Sequence, residues 1–203
     1  SVLYSTALPL VAPLAPKPLL RGVSHQFAFF VALAASGVLV ARAPAGVATW
    51  STAVFGASLV ALLGTSALYH RVEWSDVARM RMRRLDHSAI FLLIAGGYTP
   101  MFALTAPSRG WGALTAIWIG ASVGVLLSLA WPRAPKWVTA ILCVGLGWMV
   151  TGPVIDRAPL VGGVAVALLV ACGVVYSLGA LVYAAKRPDP RPLVFGYHEV
   201  FHA

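Results

Sequence analysis

Charge is scarce in this chain. Only 10% of its 203 residues are charged and six are acidic, where a soluble domain carries about a quarter. With 60% hydrophobic residues and a mean hydropathy of +0.85, this excludes a water-soluble globular domain. Cysteine is nearly absent too. Cys143 and Cys172 both lie inside apolar runs, which excludes a disulfide framework and a cysteine-based metal site and leaves them as small apolar fillers. The apolar runs are unbroken and lack period-2 alternation, so a membrane β-barrel is excluded. The net charge of +9 forms no continuous basic patch, so nucleic acid is not an expected partner. The first 22 residues lack a basic stretch followed by an apolar core and a small-residue cleavage site, so no cleaved leader is expected.

What the chain has is long apolar runs. A bilayer crossing takes about 20 helical residues, and six runs of that kind cover 23–41, 47–70, 87–106, 111–131, 136–155 and 159–184. A seventh covers 194–203. Proline and arginine punctuate the breaks, as in Arg42-Ala43-Pro44 and Pro132-Arg133-Ala134-Pro135. These breaks are too short to fold alone, which predicts an all-α, polytopic membrane protein: one seven-transmembrane helix bundle forming a single domain over 1–203. A helix of about ten residues cannot cross about 30 Å, so the seventh span is expected to be truncated at Ala203.

If the spans alternate in direction, twelve of the fifteen Lys and Arg residues fall on one side, and Arg42, Arg109 and Arg157 fall on the other. The positive-inside rule then places the amino terminus in the cytoplasm of a multi-pass cell-membrane protein. The cluster Arg79, Arg81, Arg83 and Arg84 is read as a topology signal at that surface. Trp50, Trp111, Trp131 and Trp137 suit the two interfacial belts.

The last motif of the chain is His198-Glu199-Val200-Phe201-His202, an H-E-x-x-H pattern. Its two histidines sit one turn apart on one helix face and can grip one metal ion. A catalytic zinc takes three protein ligands, and no residue downstream can supply the third. Span parity brings the end of the second run and the starts of the third and seventh runs to one side. Ser66, His70, Asp86, His198 and His202 therefore share one depth, near the cytoplasmic face. Ionisable groups are costly in lipid and those that remain usually act there. The expected site is a zinc on His70, His198 and His202, with a water of lowered pKa in its fourth position. Asp86 is the expected base and Ser66 its hydrogen-bonding neighbour. Glu199 competes for the base role, but residue i+1 points about 100° from the ligand face. Glu199, Tyr197 and His87 are candidates for the surroundings of the site. His25 and His87 otherwise read as interfacial residues near helix starts.

Ser66 to His70 as S-x-x-x-H, Asp86, and His198 to His202 form an ordered set. With Gly96-Gly97-Tyr98-Thr99-Pro100 and Phe195-Gly196-Tyr197-His198-Glu199, that set resembles the bacterial hemolysin III family over residues 17 to 203. The family is related to the progestin and adiponectin Q receptors and, more remotely, to alkaline ceramidases. The resemblance implies a seven-helix bundle with zinc on His70, His198 and His202 near the cytoplasmic face, Asp86 holding the zinc water and Ser66 beside it. In the relatives it implies lipid amide hydrolysis of the ceramide type, and the expected function here is zinc-dependent, ceramidase-like hydrolysis of a lipid amide or ester, with membrane lipid as both environment and substrate. The other reading is a non-enzymatic regulator, receptor-like protein or pore-forming hemolysin in which zinc is structural. An ion pathway is disfavoured by the lack of buried charges away from the site, and a protease by the lack of a later third ligand. No protein partner is indicated.

Overall fold

The computed structural model describes residues 17–105 and 107–202. The leader expectation for residues 1–16 and the side chain of Arg109 lie outside the described residues. Where they are described, the apolar runs are helices, because a segment in hydrocarbon must satisfy its own backbone polar groups. These are α1 (Val23–Arg42), α2 (Val47–Arg71), α3 (Asp76–Thr105), α4 (Pro107–Ala130), α5 (Lys136–Trp148), α6 (Thr151–Ile155), α7 (Ala158–Val161), α8 (Gly163–Ala185) and α9 (Tyr197–His202). Among the described residues there is no strand, only an isolated antiparallel bridge between Arg191 and Phe195. Six helical segments are long and apolar enough to cross a membrane, the fifth being Lys136–Ile155. The protein is a polytopic all-α membrane protein.

Two boundaries differ from the hydropathy reading. The third helix begins at Asp76 rather than at residue 87, so Asp86 lies within it and not at its start. Hydropathy marks where a helix enters lipid, whereas Met and Arg are good helix formers in water too, so the arginine-rich stretch continues the same helix. The run 136–155 is also interrupted. Its helix stops at Trp148 and resumes at Thr151, in a stretch holding Gly145, Gly147, Gly152 and Pro153. Glycine favours the helix weakly, and Pro153 has no N–H to offer the preceding turn. In the same stretch the carbonyl of Gly147 accepts a hydrogen bond from the Tyr98 hydroxyl at 2.9 Å.

The centre of the bundle is α3, flanked by α2 and α4. Its core face carries Phe91, Ala95 and Phe102 against Leu114, Ile117 and Ala121 of α4 and Leu146 of α5. Small residues set the spacing, as expected where helices pack without a hydrophobic driving force between them. A Cβ on Gly96 would collide with the Ser58 hydroxyl of α2, while one on Gly97 would meet nothing within 4 Å. Of the two glycines, Gly96 is the one that brings the helices close. Pro100 lies inside α3 without ending it. On the outside, α8 has no buried residue and α1 only Ala32, so both present apolar faces suited to lipid.

Candidate metal centre

The site is assembled where the start of α1, the end of α2 and the start of α9 meet. Two backbone hydrogen bonds tie the segment before α1 to the segment before α9: Leu19 N–H to Leu193 O at 3.0 Å and Leu20 N–H to Val194 O at 3.1 Å. Gly22 then turns the chain into α1 with φ of 76°, a left-handed conformation that glycine adopts without strain. It has a second reason to be glycine, since a Cβ there would lie 2.6 Å from the His70 Cβ.

Three of the predicted site residues converge. One ligand atom from each of His70, His198 and His202 can be chosen so that all lie within 4.8 Å of one another. The Nε2 atoms of His70 and His198 are 3.2 Å apart. Zinc–nitrogen bonds of about 2.0–2.1 Å at tetrahedral angles put neighbouring ligands about 3.3 Å apart, so the donor spacing fits that ion. The same separation also suits an N–H···N hydrogen bond between two imidazoles. The His202 Nδ1 is buried without a hydrogen-bond partner among the described residues. Buried polar atoms are normally satisfied, so this one is consistent with a ring whose bonding is completed by something bound. His70 is buried, while His198 and His202 are partly accessible.

The remaining predicted residues separate into two groups. Ser66, 2% exposed, lies one turn before His70 on α2, and Asp86 lies on α3, the helix packed against it. Neither Asp86 nor Glu199 belongs to the histidine donor set. The others turn away. Nδ1–H of His87 donates to the Arg83 carbonyl of its own helix at 2.8 Å, and the Tyr197 hydroxyl accepts from Lys136 Nζ at 2.7 Å. Lys136 also lies over the Tyr183 and Tyr197 rings, 4.3 and 4.5 Å from their centroids.

Glu199 has both carboxylate oxygens engaged. One accepts from Arg21 Nε in an ion pair, and the other accepts the Gly196 N–H at 2.7 Å. The second contact is the glutamate half of a capping box, reaching back from the third helical position to the residue before the helix. A carboxylate held in this way is poorly placed to act as a base.

Two residues of the site were missed in the sequence. The His25 ring stacks on His202 with centroids 4.0 Å apart and an interplanar angle of 29°, so it is not the isolated interfacial residue expected. Arg21 was read only as one of many topology charges. The single available signal was their spacing, four residues apart across the helix start, and it carries no information about a partner 178 residues away.

Residues 14–203 match the family model described as Haemolysin-III related. The chain is 31% identical over 135 residues to a Bacillus cereus protein named Hemolysin-3, a match covering 66% of this chain and 61% of that protein. A Bacillus subtilis (strain 168) protein named Hemolysin-3 homolog is 24% identical over 189 residues, covering 90% of this chain and 84% of the relative. The chain thus spans less than two thirds of the length of the first relative and most of the second. With a family model covering nearly its whole length, the chain belongs to the haemolysin III family.

Proposed function

We propose that this membrane protein is a zinc-dependent hydrolase of lipid amide or ester bonds, with its site near the cytoplasmic face. The observation that carries the reading is the convergence of ring nitrogens of His70, His198 and His202, from segments 128 residues apart, to within 4.8 Å. Three nitrogen donors with no carboxylate among them match an open site, whereas structural zinc sites are normally closed by four protein ligands. Zinc at such a site supplies Lewis acidity, polarising a carbonyl and acidifying water. Asp86 would accept a proton on its carboxylate, and Ser66 would be its hydrogen-bonding neighbour. The apolar outer faces of α1 and α8 are compatible with a substrate that arrives through the bilayer. The cytoplasmic assignment rests on the twelve-to-three division of Lys and Arg.

The test is metal content and lipid cleavage measured on the same purified sample. The reading expects about one zinc per chain and release of fatty acid from an N-acyl or O-acyl lipid. His70→Ala should lose both, and Asp86→Asn should keep the metal while losing cleavage. A protein with no zinc, or with zinc and equal cleavage in all three forms, would sink it. A second reading follows from the printed name of the relatives, hemolysin. There the metal only ties helices together in a pore former or regulator. Full zinc content with no lipid cleavage, together with bilayer conductance lost in His70→Ala, would favour it.

A further inference from the structure

The geometry points to Arg21 and Glu199 as a pair of positioning residues that set the pitch of the ligand-bearing helix α9; this rests on the metal-site reading above. Glu199 is 4% exposed, and among the described residues its carboxylate contacts with hydrogen-bond geometry are Arg21 and the Gly196 N–H. Burying an ion pair contributes little net stability compared with apolar packing, because desolvation of both charges offsets their attraction. What the pair does is geometric. Glu199 lies between His198 and His202 on α9, so a tilt of that helix moves both imidazoles together.

Metal ligands must be held within about 0.2 Å of their bond lengths, and the pair constrains α9 from outside its own backbone. Arg21 is fixed in turn by its neighbours: Leu19 and Leu20 bond the segment before α9, and Gly22 packs directly on His70. The ion pair therefore ties the helix carrying two ligands to the backbone that touches the third. The capping bond from Glu199 to Gly196 fixes the other end of the same lever. A Cβ on Gly196 would lie 2.7 Å from Asp189 Oδ1 and 3.2 Å from Glu199 Oε2, so the turn into α9 has little freedom.

The experiment loads the full chain, in lipid nanodiscs, with Co²⁺ and records affinity by chelator competition and the visible d–d spectrum. The forms compared are the wild type, Arg21→Gln, Glu199→Gln, the double variant and Arg21→Lys. Each single glutamine variant should lose about tenfold in affinity, the typical effect of removing a group that orients a ligand, and should shift the d–d bands. The double variant should lose no more than either single one, because it no longer leaves one buried charge unpaired. Arg21→Lys should recover most of the affinity, and it serves as the test where Arg21→Gln does not fold. Wild-type affinity and spectrum in both single variants would overturn the positioning role, as would losses that multiply in the double variant. A wild type that binds no metal would remove the metal site itself and this proposal with it.

Discussion

His25 lies flat against His202, ring centroids 4.0 Å apart, which makes the first turn of α1 a wall of the candidate metal centre. His25 itself lies outside the set of three histidines whose ring nitrogens converge. His25→Phe, which keeps a flat ring, should retain metal, whereas His25→Ala should weaken its retention by the ~1 kcal/mol of a stacked pair, about fivefold in affinity. Chelator competition separates the two variants, and equal losses in both would contradict the stacking role.

Gly22→Ala brings together two penalties at one atom. The backbone φ of 76° disfavours a side chain, and the new Cβ would meet the His70 Cβ at 2.6 Å. Strain of this kind costs about 1–3 kcal/mol, so the thermal midpoint in detergent should fall and metal retention should fall with it. A neutral Gly22→Ala would show that α1 does not pack on His70 as described.

Gly96 and Gly97 offer a contrast within two adjacent residues. Gly96→Ala pushes against the Ser58 side chain of α2, while Gly97→Ala enters open space. Overpacking of this kind costs about 1–3 kcal/mol, and the better helix propensity of alanine is worth about 1 kcal/mol in the other direction. Gly96→Ala should lower the unfolding midpoint, and Gly97→Ala should leave it unchanged or raise it.

Tyr197→Phe removes the oxygen that accepts from Lys136 Nζ at 2.7 Å but keeps the ring beneath that cation. The loss should be about 1 kcal/mol of stability without a change in metal stoichiometry. Loss of metal in this variant would place Tyr197 closer to the site's chemistry than its contact with Lys136 indicates.

The bilayer made much of this fold legible in advance. Its thickness imposes a length on every crossing, so the apolar runs stand out, and alternation of direction put His70 at the same depth as His198 and His202. Hydropathy is blind to helix outside lipid, which is why the start of α3 at Asp76 went unseen behind its arginines. It is equally blind to which helices are lateral neighbours. Depth alone could not bring Arg21 to Glu199, or His25 to His202, because those contacts depend on how α1 and α9 pack side by side. Glu199 shows the same limit. Its motif suggests a base, and the competing role of helix cap and ion-pair partner becomes visible only when Gly196 and Arg21 are in place.

The central claim is tested most directly by a diffraction map of the purified protein, recorded with anomalous data on either side of the zinc absorption edge. The account predicts one peak about 2.0–2.1 Å from a ring nitrogen of each of His70, His198 and His202, with no carboxylate bound to it. A map without a peak among these three rings, or a metal closed by Asp86 or Glu199 as a fourth protein ligand, would contradict it.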